Sequence, residues 1–261
     1  MIWTTLPRSD LGHGLAGHWA GSGPELVLII HGVGLRLEAW NALSALLGTD
    51  FRTCAVDMPG HGGSGPVTSA NLTLYTERFA ALLSETGPAF VAGHSMGAMI
   101  TLDLAARYPD RVLGIAALNA IYRRTPAAAA AVQSRAAGLR GGANSDPGPT
   151  LTRWFGEAET PEAKACRAWL TEADAQGYAT AYATFAHHDG PADSDLGALR
   201  CAALFLTGAK DTNSTPAMSE AMASKTPKGR AVILRDAAHM APMTHPAPIA
   251  AELRRTFRVQ P

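Results

Sequence analysis

The chain has 261 residues, a length suited to one sizeable domain, and 47% of them are hydrophobic, enough for a well-buried core. Lysine plus arginine equals aspartate plus glutamate at 22 each, which excludes the basic bias typical of proteins that bind nucleic acid or anionic membranes. The first ten residues lack the apolar core of a signal peptide, and no apolar run could span a bilayer, so we predict a cytoplasmic protein.

Strands and helices alternate through the first part of the chain. An early strand is predicted from about residue 13 to 20, and the unbroken apolar run Leu26–Ile30 is typical of a parallel strand covered on both faces. The next predicted elements are a helix over Glu38–Leu47, a strand over Thr53–Asp57, a helix over Leu72–Thr86, a strand over Phe90–Ala92, a helix ending near Tyr108 and a strand over Val112–Leu118. This alternation predicts an α/β fold with a mostly parallel, twisted, doubly wound sheet and helices on both faces.

The pattern then changes. From Ile121 to about Leu196 no strand is predicted, and aromatic residues lie on segments with helical spacing. A polar, Gly/Pro-rich stretch, Gly138–Pro149, is predicted to be a loop. The alternation resumes with a strand over Ala202–Thr207, a helix over Pro216–Lys225, a strand over Ala231–Leu234 and a helix over Ala247–Arg258. We therefore predict an α/β core formed by residues 1–120 and 197–261, with a helical cap inserted at residues 121–196.

A Gly-x-Ser-x-Gly motif centred on Ser95 joins the strand Phe90–Ala92 to the following helix. In a nucleophile elbow the serine occupies a strained turn, typically at positive φ, and the flanking strand and helix pass too close for a Cβ at the two glycines. The turn directs the Ser95 hydroxyl toward the N-terminus of the helix, where the Met96 N–H and the helix dipole favour an oxyanion. The chain contains no second copy of the motif, so Ser95 is the predicted nucleophile.

On this motif and its flanks the chain resembles the α/β-hydrolase family, in the serine-nucleophile branch with a helical cap, over nearly its whole length. The family order Ser, Asp, His implies that Asp211, which follows one late strand, orients the base, and that His239, which follows the next, is the general base. The loop that begins at His31 resembles the His-Gly loop of the family, which implies that the Val33 N–H is the second oxyanion donor beside Met96.

Other patterns give weaker signals. Asn119 lies where some family members carry the acid, but an amide cannot carry the charge. Two Gly-x-Gly-x-x-Gly stretches, beginning at Gly12 and Gly60, lack the strand–turn–helix context of a dinucleotide site, so we predict no cofactor. Three scattered cysteines and nine histidines without ligand spacing predict free thiols and no metal site.

These features predict a serine hydrolase that cleaves a small carboxylic ester or lactone through an acyl-enzyme on Ser95. By resemblance, its relatives include enol-lactone hydrolases, carboxylesterases and ring-cleavage-product hydrolases. Two alternatives stay open: a carbon–carbon bond hydrolase, in which Arg153 or Arg167 would bind an acid, and a ligand-binding member of the fold that hydrolyses little. The expected partner is a small-molecule substrate, and the protein is expected to be a monomer or homodimer. The candidate pocket residues are His31, Trp154, Phe155, Trp169, Tyr182 and Met240.

Overall fold

The computed structural model describes residues 3–139 and 146–258, and these residues form one sheet of eight strands. The strands are β1 (Ser9–Asp10), β2 (Ala16–Ala20), β3 (Glu25–Ile30), β4 (Phe51–Val56), β5 (Ala89–His94), β6 (Val112–Leu118), β7 (Ala202–Gly208) and β8 (Gly229–Leu234). Their order in the sheet is β1-β2-β4-β3-β5-β6-β7-β8. The pairs β1–β2 and β2–β4 are antiparallel and the others are parallel, which confirms the predicted mostly parallel α/β sheet.

Helices cover both faces of this sheet. They are α1 (Asn41–Leu47), α2 (Leu72–Thr86), α3 (Met96–Arg107), α4 (Pro126–Gly138), α5 (Gly148–Phe155), α6 (Pro161–Glu172), α7 (Ala175–His187), α8 (Asp193–Ala198), α9 (Pro216–Lys225), α10 (Ala241–Thr244) and α11 (Pro246–Phe257), with 3-10 turns at Leu37–Trp40 and Pro109–Arg111. Of the described helices, none is long and apolar enough to cross a membrane.

The burial of β3 explains its unbroken apolar sequence. Leu28 and Ile30 pack into the apolar cluster that includes side chains of α2 and α3. Val27 and Ile29 point to the other face and join the cluster that includes α1 and α11. Alternate residues of a strand face opposite sides, so a central strand covered on both sides must be apolar at every position.

Between Leu118, where β6 ends, and Ala202, where β7 begins, the described residues form helices α4 to α8 and no strand. Part of the predicted loop, residues 140–145, lies outside the described residues. Its two ends were predicted wrongly, because Gly138 still belongs to α4 and α5 already begins at Gly148. Pro149 is the second residue of α5, and a proline is favourable there because the N–H that it lacks would have no partner in the first turn.

The structure also corrects two boundaries near the N-terminus. The early strand begins at Ala16 rather than near residue 13, because Gly12, His13 and Gly14 form a turn with positive φ angles. The helix predicted over Glu38–Leu47 is a 3-10 turn followed by α1.

Candidate active site

Ser95 occupies the turn between β5 and α3 with a φ of 56°. This conformation is costly for a residue other than glycine and persists only where the surroundings enforce it. A Cβ on Gly93 would lie 2.1 Å from the Gly97 carbonyl oxygen, and a Cβ on Gly97 would lie 2.2 Å from the Ile30 carbonyl oxygen. The strand and helix therefore pass as closely as a nucleophile elbow requires.

His239 and Asp211 meet at the carboxyl-terminal ends of the parallel strands, on the side of the sheet where β5 leads into Ser95. Nδ1 of His239 lies 2.7 Å from Oδ2 of Asp211. Because an ionised carboxylate can only accept hydrogen bonds, Nδ1 carries the proton and Nε2 is left as an acceptor. Ser95 and His239 line the same cavity. A histidine held by a carboxylate and facing the cavity of a serine has the features expected of a base for that serine.

The Asp211 carboxylate is buried among donors. Its Oδ2 also accepts from Nδ2 of Asn119 at 2.8 Å, and its Oδ1 accepts from the N–H groups of Asn213 and Ser214. Burial alone would raise the pKa of this carboxyl, but His239 and these hydrogen bonds outweigh burial and lower the pKa to about 2. Asn119 is therefore a hydrogen-bond partner of the acid rather than a substitute for it.

His94 joins the elbow to the loop that carries His239. Its Nε2 donates to the His239 carbonyl oxygen at 2.8 Å, and the two rings are 5.0 Å apart. Burial, together with repulsion from a protonated His239, lowers the pKa of His94 to about 3. The ring is therefore neutral, and it serves as a hydrogen-bonding link between the two loops.

The loop after β3 lies against the elbow, since a Cβ on Gly32 would be 3.0 Å from the Ser95 Cβ. The Gly32 carbonyl oxygen accepts from Nδ1 of His31 at 2.8 Å and from the Leu35 N–H at 3.3 Å. In a trans peptide the N–H points opposite to the carbonyl, so the Val33 N–H is turned away from these donors. Val33 also lines the cavity of Ser95. The Met96 N–H belongs to the first turn of α3, where a helix offers no acceptor of its own.

The cavity beside Ser95 is walled by the core and by the segment between β6 and β7, whose described helices α4 to α8 are called the cap from here on. The core supplies Gly32, Val33, Leu35, His94, Ser95, Asn213 and His239, and the cap supplies Arg135, Thr150, Arg153, Trp154, Tyr178, Tyr182 and Phe185. Two of the predicted pocket residues, Trp154 and Tyr182, lie here. The Trp154 ring stacks 5.9 Å from the His239 ring at an interplanar angle of 26°.

The other four predicted pocket residues do not line this cavity. His31 is buried and bonded within its own loop, and Met240 is buried in the apolar cluster beneath the cap. Trp169 packs edge-on against Trp3 with 6.3 Å between ring centroids. Phe155 borders a separate groove that also includes Arg167. Neighbouring residues of a helix project about 100° apart, so Phe155 cannot share the direction of Trp154.

Sequence reasoning missed several lining residues. Tyr178 and Phe185 flank Tyr182 at spacings of four and three, which is the signal of one helix face and could have grouped them. No such signal marks Arg135. Its Nη2 donates to the Thr150 hydroxyl at 2.7 Å, and its guanidinium lies 5.2 Å from the centre of the Tyr182 ring.

Cavity size alone would have pointed elsewhere. Grooves of about 540 and 720 Å³ lie beside the 57–66 turn and at the opposite end of the sheet, and neither includes Ser95 or His239. Of these three cavities, as the described residues form them, the smaller one combines a strained serine with a carboxylate-bonded histidine, and this chemistry marks the candidate site. Across residues 3–139 and 146–258, no cluster of three or more His, Cys, Asp or Glu could hold a metal ion.

This combination of sheet, elbow and cap is reflected in the sequence comparisons. A model of the alpha/beta hydrolase family matches residues 27–252, so the chain belongs to the alpha/beta hydrolase family. The match confirms the resemblance predicted from the elbow.

Three relatives narrow the comparison. The chain is 35% identical over 246 residues to (E)-2-((N-methylformamido)methylene)succinate hydrolase of Acinetobacter baylyi, covering 92% of this chain and 93% of that protein. A thermophilic esterase from Thermogutta terrifontis, solved with malate bound, is 28% identical with a TM-score of 0.81, covering 94% of this chain and 93% of that one. The enol-lactonase from Burkholderia xenovorans has a TM-score of 0.81 at 22% identity, covering 96% and 99%, a likeness that shows the fold. The relatives place the chain among hydrolases.

Proposed function

We propose that this protein is a serine hydrolase that cleaves small acyl compounds carrying a carboxylate. One observation carries the proposal: Ser95 at its strained turn, His239 held by Asp211, and two arginines of the cap converge on a single cavity. His239 takes the proton of Ser95 as the hydroxyl attacks the substrate carbonyl, and Asp211 stabilises the imidazolium that forms.

The N–H groups of Val33 and Met96 donate to the oxyanion of the tetrahedral intermediate. When this intermediate collapses, the leaving group takes the proton from His239 and the acyl group stays on Ser95. Water then attacks the acyl-enzyme with His239 again as base, and the second collapse frees the acid and restores the serine.

Arg135 and Arg153 give the cavity its preference for an anion. As far as the described residues form it, the lining contains these two cations and no aspartate or glutamate. Arg135 is oriented by a neutral partner, the Thr150 hydroxyl, so its charge is available to a ligand. A guanidinium fork matches a carboxylate with two parallel hydrogen bonds.

The relatives support a carboxylate-bearing substrate. The Acinetobacter baylyi protein is named for a succinate derivative, and the Thermogutta terrifontis esterase was solved with malate. An ester or lactone is our first candidate for the bond cleaved. A second candidate is an N-acyl bond, favoured by the formamido group in the name of the Acinetobacter baylyi hydrolase. Both bonds would be cleaved by the same acyl transfer to Ser95.

The nucleophile is tested by substitution and labelling. Ser95→Ala should lower kcat by about 10³- to 10⁶-fold while the fold survives. A fluorophosphonate probe should label the unaltered protein at Ser95. Ser224→Ala, on the exposed face of α9, is the control and should keep full activity. Labelling at another residue, or full activity of Ser95→Ala, would overturn the proposal.

Substrate class is tested with matched esters. Mono-p-nitrophenyl adipate and p-nitrophenyl hexanoate share an acyl length and differ in one terminal carboxylate; O-acetylmalate and its dimethyl ester make the same comparison on the leaving-group side. Arg135→Gln and Arg153→Gln should each lower kcat/KM for the anionic member of a pair by about 10- to 100-fold, because each loses charged hydrogen bonds. Arg167→Gln, in the cap but outside the cavity, is the control. Equal losses on neutral and anionic esters would refute the assigned role of these arginines, and a ring-cleavage product hydrolysed faster than every ester would favour the carbon–carbon alternative.

A further inference from the structure

The loop that carries the proposed oxyanion donor is held from outside the cavity by His61. This buried residue lies in the turn after β4, and it is absent from the lining of the Ser95 cavity formed by the described residues. Its Nε2 lies 3.0 Å from the Gly34 nitrogen, and its Nδ1 lies 3.3 Å from the Pro59 carbonyl oxygen. A backbone N–H can only donate and a carbonyl can only accept. The partners therefore define a neutral imidazole with its proton on Nδ1.

The hydrogen bond to His61 is one of a set that joins residues 31–37 to residues 57–63. The Met58 N–H donates to Nε2 of His31 at 2.9 Å, and the Leu37 N–H donates to Oδ1 of Asp57 at 2.9 Å. Asp57 in turn accepts from the Gly63 N–H through its other oxygen at 2.8 Å. The two loops are therefore cross-linked along their length.

Among these bonds, the one from Gly34 to His61 adjoins Val33 directly. The Gly34 N–H and the Val33 carbonyl form one peptide plane, and the preceding plane contains the Val33 N–H together with the Gly32 carbonyl. That carbonyl is already held by His31. With His61 holding the second plane, both peptide planes that meet at the Val33 Cα are fixed, so the direction of the Val33 N–H is fixed too.

The cap packs on the same glycine from the other side. Gly34 has a φ of 77°, and a Cβ there would lie 2.5 Å from Cδ2 of Leu170 and 2.9 Å from Cε2 of Tyr178. No side chain can therefore anchor residue 34, and the hydrogen bond to His61 holds its peptide plane against the core.

We propose that His61 is a positioning residue for the oxyanion hole. Its Nε2 accepts a hydrogen bond from the Gly34 N–H and thereby directs the Val33 N–H toward the reacting carbonyl. This inference rests on the proposed function, in which Val33 is an oxyanion donor. Burial is the largest of the causes that lower the pKa of His61 to about 3, so Nε2 stays an acceptor at neutral pH.

Two polar substitutions of different reach test the proposal. The amide oxygen in His61→Gln can occupy about the place of Nε2, whereas the side chain in His61→Asn is one methylene shorter. Because an oxyanion donor acts mainly in the transition state, His61→Asn should lower kcat for the best p-nitrophenyl ester by about 10- to 100-fold with KM changed less than about 3-fold. His61→Gln should stay within about 5-fold of the unaltered enzyme on both constants.

Ser64→Ala is the matched control. Ser64 belongs to the same turn and bonds to the Ala16 N–H and the Asp57 carbonyl, away from residues 31–37. The Ser64→Ala variant should have lower thermal stability than the unaltered protein but the same kcat. Affinity for a trifluoromethyl ketone, whose adduct with serine places an oxyanion in the same hole, should weaken in His61→Asn in proportion to kcat.

A measurement on the unaltered protein applies even where a variant fails to fold. The imidazole ¹⁵N spectrum should show His61 protonated at Nδ1 alone, with a coupling across the hydrogen bond from the Gly34 amide to Nε2. A protonated Nε2, a His61→Asn kcat within 3-fold of the unaltered value, or an equal loss of kcat in Ser64→Ala would each overturn the role of His61. Failure of the fluorophosphonate to label Ser95 would instead overturn the proposed function.

Discussion

Asp211 shows how much of the proposed chemistry depends on the surroundings of one residue. Asp211→Asn keeps the shape of the side chain but loses the charge, and the amide can hold His239 in the wrong tautomer. We expect kcat for ester hydrolysis to fall by about 10⁴-fold. Asn119→Ala removes one donor to the same carboxylate and leaves the bond to His239, so its loss should be about 10-fold at most.

Asp236→Asn is the control for this comparison, because Asp236 is exposed in the loop that leads from β8 to His239, and its ion pair with Lys210 is long at 3.9 Å. It should match the unaltered enzyme. If Asn119→Ala were more damaging than Asp211→Asn, the acid would have been assigned to the wrong strand.

For single residues, the sequence predicts those that the backbone geometry requires better than those that line the cavity. A Cβ at Gly93 or Gly97 would lie less than 2.5 Å from a backbone oxygen, so only glycine fits at either position. The elbow can therefore be recognised from the sequence. The direction of Trp154 or Phe155 depends instead on how α5 is rotated against the core. Tertiary packing sets that rotation, and the sequence of one helix does not contain it.

Among the elements, the central parallel strands were the most predictable and the cap helices the least. A strand buried on both faces, such as β3, must be apolar throughout, which is a strong local signal. The edge strand β1 has only two residues, both exposed, and gives no such signal. Helix α4 has mostly exposed alanines, so nothing in its pattern indicates that Arg135 faces a cavity.

Helices α5 and α7 should set the preferred length of the acyl group. Trp154→Ala and Tyr182→Ala each remove an aromatic wall of the cavity, so at least one of them should shift the optimum in a series of p-nitrophenyl esters toward longer chains. Phe155→Ala, which alters the neighbouring residue of α5 outside the cavity, should leave the optimum in place. If the unaltered enzyme preferred long chains and no variant moved the optimum, the cap would not select the substrate.

In the whole molecule, the fold brings together residues whose shared surroundings the sequence alone does not indicate. One fold serves many reactions, so the sheet and elbow indicate a hydrolase but not its substrate. Arg135 and Arg153, the charges that we propose select the substrate, come from two helices that meet only in the folded chain. Leu170 and Tyr178 of the cap also approach Gly34 in the loop of Val33, so the surface proposed to select the substrate adjoins the loop of the proposed oxyanion donor.

Buried neutral histidines should make the whole fold sensitive to acid. The pKa values of His61 and His94 are lowered to about 3 by burial, whereas histidine in an unfolded chain has a pKa near 6.5. Between these values the unfolded state binds more protons than the folded state, so the free energy of unfolding falls as the pH falls from 6.5. Below pH 6.5 the slope for each histidine approaches about 1.4 kcal/mol per pH unit, so the pair should cost roughly 4 kcal/mol between pH 7.5 and 5.0.

Urea unfolding at a series of pH values from 7.5 to 5.0 measures this loss, which is large beside the roughly 5–15 kcal/mol that stabilises a typical domain. Asp211 does not contribute in this range, because its lowered pKa of about 2 removes stability only as the pH falls below about 4.

His94→Asn should be less stable at pH 7.5, because it loses the bond to the His239 carbonyl, but its stability should fall less steeply with acid. Ser224→Ala, at an exposed position and removing no titratable side chain, should keep the slope of the unaltered protein. A free energy of unfolding that stayed constant from pH 7.5 to 5.0 would mean that His61 and His94 take up protons without unfolding, and their hydrogen bonds to the Gly34 N–H and the His239 carbonyl would then need a different protonation state.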